Sequence, residues 1–267
     1  MTPRRPARPV PAYVAPHGLL EGKRVVVTAA AGAGIGAAAA RRCLEEGAAS
    51  VVIGDTHAAR LEAARAELAA EFGEERVRHA VCDVTVEEQV DELLSVADAA
   101  GGIDVMINNA GLGGTASILE MTDDQWSKVL DVTLTGTFRC IRAVARRMVA
   151  AGTEGVIINN ASVIGWRAQE GQAHYAAAKA GVMALTRSAA LDLAGHGIRV
   201  NAVSPSLAMH PFLAKVTTDE LLEELTSREA FGRAAEPWEI ANVMVFLASD
   251  YSSYMTGEVV AVSSQQA

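Results

Sequence analysis

The stretch "RVVVTAAAGAGIG", Arg24 to Gly36, decides the fold. Its β-branched start reads as a buried strand. The small residues after it read either as a turn leading into a helix or as a flexible linker. The alanine-rich segment that follows has helical character over 34 to 46, so a strand, a glycine-rich turn and a helix stand in succession. In a parallel sheet that succession places the turn at a strand's carboxyl end. There, unpaired N–H groups of a helix start can meet a pyrophosphate.

The same alternation continues along the chain. Further strands are expected at 50–54, 77–82, 103–108, 155–160, 198–204 and 257–262, and helices at 57–72, 86–99, 123–150, 174–194 and 237–248. Seven short apolar runs separated by helices predict an α/β fold: a doubly wound sheet of seven parallel strands with helices on both faces. The chain has 267 residues, 50% of them apolar, which suits one large core and a single domain over 21–267. A long interruption near 205–233 has the character of a lid at a strand's carboxyl end.

Residues 1–20 hold five of the eight prolines together with Arg4, Arg5 and Arg8, and are expected to form a disordered arm. They lack the apolar centre of a secretory signal, and no apolar run is long enough for a membrane span. The formal charge of -9 argues against nucleic acid as a partner. Cys43, Cys82 and Cys140 are widely spaced and odd in number, predicting neither a disulfide framework nor a metal site and fitting the cytoplasm.

Two carboxylates extend the cofactor reading. Asp55 ends the second strand 19 residues after Gly36, where a carboxylate accepts hydrogen bonds from an adenosine ribose. It would repel a ribose phosphate, and no Arg or Lys lies between Thr28 and Gly36 to attract one, so NAD is preferred over NADP. Asp83, followed by Val84 in "CDVT", is either an adenine contact or a helix cap. Tyr175 and Lys179 in "HYAAAKAG" are four residues apart and share a helix face, and Ser162 ends a strand thirteen residues before the tyrosine.

With "NNAG" (108–111), "NAVSP" (201–205) and "GRAAEPWEIANVMVFLASDYSSYMTGE" (232–258), these residues resemble the short-chain dehydrogenase/reductase family from about Leu20 onward. The resemblance implies a Rossmann-like fold and an NAD-dependent enzyme that interconverts a secondary alcohol and a ketone. It implies Tyr175 as general acid/base, Lys179 as its charged partner and ribose ligand, and Ser162 as the group orienting the substrate oxygen. Gly32, Gly34, Ile35, Gly36, Asp55, Asp83, Val84, Asn109, Tyr175 and Lys179 would hold NAD, with Ala110 packing beside it. It also implies a homotetramer or homodimer that pairs the long helices 123–150 and 174–194.

The wording of "NNASVIGWRAQ", "HYAAAKAGVMALTR" and "AFGRAAEPWEIA" is similar to actinobacterial dehydrogenases acting on a ring hydroxyl of bicyclic, steroid-derived acyl-CoA thioesters. That implies a small alcohol or ketone substrate of this kind. A 3-oxoacyl-thioester reductase and a non-catalytic NAD-binding sensor or scaffold are the alternatives.

Several positions depart from the family pattern. Thr133 stands for the usual asparagine, Ser206 for the glycine after "SP", His210 near a usual threonine, and Ser263 to Gln265 for the final Asp-Gly-Gly. Thr28 to Gly36 is one residue too long; counted back from Gly36, the first glycine is Ala30, and Gly32 would supply the left-handed conformation. Trp166, Arg167, Gln169 and Gln172 either line a pocket or pack in a surface loop, and Gly111, Gly113 and Gly114 leave space opposite them.

Overall fold

The structure, a computed structural model, describes residues 7–209 and 219–264. Its core is one seven-stranded parallel sheet: β1 Arg24–Thr28, β2 Ser50–Asp55, β3 Val77–Val81, β4 Val105–Asn108, β5 Val156–Asn160, β6 Arg199–Pro205 and β7 Val259–Val262. The spatial order is β3-β2-β1-β4-β5-β6-β7, so the sheet reverses its direction of growth between β1 and β4. The strands alternate in the face they present. Val25, Val27, Ile107 and Ile158 join one core, and Val26, Met106 and Ile157 join the other. Fully burying such a side chain contributes about 1.5–3 kcal/mol.

The first core is covered by α1 Ile35–Glu45, α2 Ala58–Phe72 and α8 Pro237–Ala248. The second is covered by α3 Glu87–Ala99, α5 Gly136–Ala151 and part of α6 Ala173–Ala194. Helix starts follow local chemistry. Thr122 and Gln125 form a capping box at α4, Asp123–Leu130, and Glu236 and Glu239 form another before Pro237. Gly152, with φ of 64°, ends α5.

Two expectations need correction. The helix expected over 123–150 is interrupted by a π-helical turn, Asp131–Thr135, between α4 and α5. It inserts an extra residue into the helical repeat at the position where Thr133 replaces asparagine. Within the supposed lid the structure forms a further helix, α7 Asp219–Ser227, while 210–218, and with them His210, lie outside the described residues.

A disordered arm was expected over residues 1–20, of which 1–6, with Arg4 and Arg5, lie outside the described residues. Residues 8–20 instead run along α1 and α8. Tyr13 donates to Glu45 at 2.5 Å and meets the Trp238 ring edge-on at 5.1 Å. Buried Glu46 accepts from the amides of His17 and Leu19 and pairs with Arg42 at 2.5 Å. Further out, the Arg8 amide donates to Phe231 and its guanidinium stacks 4.9 Å from that ring.

Candidate active site

Thr28, Asn109 and Ser162 follow from the ends of β1, β4 and β5, so the reversal point of the sheet gathers them in one crevice. The Thr28 hydroxyl accepts from the amides of Asn109 and Ala110 at 3.0 and 3.1 Å, tying the first strand to the fourth. Gly36 is tightly enclosed: a Cβ there would collide with the Ala29 carbonyl and the Asn109 amide group. Gly32 and Gly34 face open space instead. Gly34 is the N-cap of α1 and gives no side-chain cap, so first-turn N–H groups remain available in front of that opening. Ile35 begins the helix and packs against the first core. An open, uncapped helix start beside two glycines fits a pyrophosphate.

The left-handed residues of the turn are Ala29, φ 52°, and Gly32, φ 133°. Ala30 is not among them; its amide donates to Gly54 at 3.1 Å, holding it against the end of β2. The family's first glycine therefore corresponds to Ala29, counted forward from Thr28, and the extra residue lies after it. Asp55 is nearly buried. Its two oxygens accept from the amides of Ala31 and His57, each at 3.1 Å, and Arg60 lies 4.0 Å away. Asp83 accepts from both the amide and the hydroxyl of Thr85 at 2.9 and 2.7 Å, bracing the turn before α3. Val84 packs on Gly136, which has no room for a side chain.

At the other end, Tyr175 and Lys179 stand on the first two turns of α6. Ser162 is near enough to Tyr175 to act on its phenol, and the Lys179 ammonium lies 5.6 Å from the phenol ring. Burial pushes the phenol above its ordinary value of 10, and Ser162 opposes that shift. The same burial pulls the Lys179 ammonium down from 10.5 to about 8. Lys179 donates to the Asn160 carbonyl at 2.5 Å. Asn160 was not singled out in the sequence; the doubled "NN" before Ser162 is the only signal, and it reads as a strand end.

Thr133 is fully buried, and its hydroxyl both accepts from the Leu112 amide (3.0 Å) and donates to the Leu112 carbonyl (3.2 Å). Its own carbonyl accepts from Thr137 at 2.8 Å. Gly111, Gly113 and Gly114, expected to leave room for substrate, face site side chains. A Cβ on Gly111 would lie 3.3 Å from Lys179 Nζ, one on Gly113 4.0 Å from the Tyr175 ring, and one on Gly114 3.2 Å from buried His174. Trp166 is half exposed beyond Ser162, with Arg167, Gln169 and Gln172 partly buried after it.

The departures at 206 and 264 converge. The hydroxyls of Ser206 and Ser264 donate at 3.1 and 2.8 Å to Glu229, a buried carboxylate missed in the sequence that also accepts from the Leu207 amide. Gln265 lies outside the described residues.

A family model described as enoyl-(acyl carrier protein) reductase matches residues 29–264. The chain belongs to the short-chain dehydrogenase/reductase family. Its oxidoreductases use nicotinamide cofactors, and the Rossmann-like sheet described above is the family's fold. Among short-chain dehydrogenase/reductase relatives, one from Mycobacterium tuberculosis is 60% identical, over 96% of this chain and 97% of its own. It is named (5R,7aS)-5-hydroxy-7a-methyl-1-oxo-2,3,5,6,7,7a-hexahydro-1H-indene-carboxyl-CoA reductase. The cis-4-hydroxycyclohexanecarboxylate dehydrogenase of Sinomonas cyclohexanicum is 42% identical, over 90% of this chain and 95% of its own. The crystal structure of a short-chain dehydrogenase from Mycobacterium smegmatis superposes with a TM-score of 0.86 at 54% identity, over 97% of this chain and 99% of that one. Among the described residues, no helix is long and apolar enough to cross a membrane.

Proposed function

We propose that the protein interconverts a secondary ring alcohol and a ketone with NAD, acting on a bicyclic, steroid-derived acyl-CoA thioester. The observation that carries the chemistry is the grouping of Ser162, which acts to lower the Tyr175 pKa, with Tyr175 and with buried Lys179 one helical turn further along. In this reading Ser162 hydrogen-bonds the substrate oxygen, and Tyr175 takes its proton during oxidation or returns it during reduction. Lys179 holds ribose hydroxyls and favours the phenolate. Bringing a phenol from about 10 to about 7 requires roughly 4 kcal/mol. Burial acts the other way on Tyr175, so added positive charge is needed. The bound cofactor supplies the hydride acceptor or donor and, when oxidised, a positive ring beside the phenol.

Gly32, Gly34, Ile35 and Gly36 line the pyrophosphate turn, and Asp55 receives the adenosine ribose. Asp83 and Val84 would border the adenine, and Asn109 would pack beside the cofactor. Asp55 supports NAD over NADP, because its carboxylate already takes two neutral amide donors and repels a phosphate. The substrate class rests on the ring-hydroxyl chemistry in the names of the two relatives. Pairing of α4–α5 and α6 in a homodimer or homotetramer is supported by the exposed Phe138, Val149 and Leu191 on those helices. Three free, buried cysteines support a reducing, cytoplasmic setting.

The deciding experiment is a screen of secondary alcohols, including hydroxylated bicyclic acyl-CoA and 3-hydroxyacyl thioesters, followed by NADH and NADPH formation. Preferred oxidation of the bicyclic ring alcohol with NAD is expected. Preference for the linear thioester with NADP would instead make the enzyme a 3-oxoacyl-thioester reductase. Binding of NAD without turnover of any alcohol would leave a sensor or scaffold.

A further inference from the structure

We infer that Asn160 is a positioning residue for the dinucleotide turn, acting through Asn109 on the carbonyl of Ala29. The inference rests on the reading of that turn as the NAD site. Asn160 Nδ2 donates to Asn109 Oδ1 at 2.9 Å, and Asn109 Nδ2 donates to the Ala29 carbonyl at 3.1 Å. The direction of this ladder is fixed from its far end. A carbonyl only accepts, so Asn109 must turn its NH2 towards Ala29, which leaves its oxygen to face Asn160.

Ala29 is where an orienting force is needed. It is the one non-glycine residue with positive φ among the described residues, in a region that alanine avoids. Relaxing it would swing its carbonyl, which packs against Gly36 in the first turn of α1. The N–H groups facing the opening would move with that turn. Asn160 thus reaches the cofactor end from β5, two strands away, although no part of it belongs to the glycine motif.

The other end of the Asn160 side chain shows which atom matters. Its Oδ1 is buried with no hydrogen-bond partner among the described residues. A leucine or isoleucine would fill this place without an orphaned acceptor, so the retained function is that of the donor, Nδ2.

The test is NADH titration of the cofactor-free enzyme by fluorescence, using wild type, Asn160→Leu and the near-isosteric Asn160→Asp, each alone and combined with Ala29→Gly. Both single substitutions at 160 remove the donor. Each should weaken NADH binding about tenfold and raise the KM for NAD, with kcat at saturating cofactor within about threefold of wild type. Glycine accepts the left-handed conformation unaided. In the Ala29→Gly background the loss should therefore fall to about twofold or less. Wild-type affinity in both single variants, or the same tenfold loss when Ala29→Gly is also present, would overturn the inference. Failure of the wild type itself to bind NADH or NADPH would overturn the cofactor reading beneath it.

Discussion

At the proposed cofactor end of the crevice the groups on offer are backbone amides on an irregular turn, whereas at the proposed catalytic end they are three side chains on a strand end and a helix. The turn has an alanine where its family carries glycine and one residue too many, yet Gly32, Gly34 and Gly36 still frame an uncapped helix start. At the proposed catalytic end, side-chain identity would be the function: Tyr175 places a phenol and Lys179 an ammonium one helical turn apart. A backbone site tolerates altered sequence while its geometry is held by neighbours; a side-chain site does not.

Removing the phenol should break this contrast most sharply. Tyr175→Phe is expected to lower kcat by about a thousandfold while leaving the Kd for NAD within about threefold, measured by steady-state kinetics and titration. Undiminished turnover would remove Tyr175 from the acid/base role.

Lys179 shows what the catalytic end costs. Its pKa is depressed on folding, from 10.5 to about 8, so a charge penalty on the order of 3 kcal/mol is fully present below about pH 8 and is relieved as pH rises towards 10.5. Lys179→Met should therefore be inactive but more heat-stable than the cofactor-free wild type at pH 7, by roughly 1–3 kcal/mol once the lost bond to Asn160 is counted. The gap should narrow between pH 8 and 10.5 in thermal melts; a gap that widens there would contradict the burial argument.

The cofactor end should respond more gently. Asp55→Asn is expected to shift the ratio of kcat/KM for NAD to that for NADP by about tenfold to thirtyfold towards NADP, since it removes one negative charge. Arg60, 4.0 Å from the carboxylate, is then the cation left to meet the ribose phosphate. An unchanged ratio would detach Asp55 from the ribose. Smallest of all, Ala29→Gly should relieve the left-handed backbone and raise stability by about 0.5–1 kcal/mol, an increase of roughly 2 °C in Tm.

The sheet was legible because its strands are β-branched runs covered on both faces, so their ends fell within a residue or two of 24–28, 50–55 and 156–160. The spacing of Tyr175 and Lys179, the proposed catalytic pair, was legible because a fixed interval along one helix survives any change in loops. What the sequence hid is non-local. A π-helical turn leaves the apolar periodicity on either side almost intact, so 131–135 passes for ordinary helix. The left-handed backbone expected at Gly32 is present, but the place of the first glycine was assigned to Ala30 rather than to left-handed Ala29, because side-chain identity in a run of alanines says nothing about φ. Glu229 reads as a surface residue at a helix end, and only the folded chain brings it Ser206 and Ser264.

The segment clasping α1 and α8 also has a consequence in time. Two of its anchors, Phe231 and Trp238, are synthesised more than two hundred residues after Arg8 and Tyr13. At roughly 5–20 residues per second, Arg8 and Tyr13 wait on the order of ten seconds or more for these two partners. During that interval only the contacts to α1 can form, and the closing of the clasp on Trp238 marks a chain that has been synthesised past that residue.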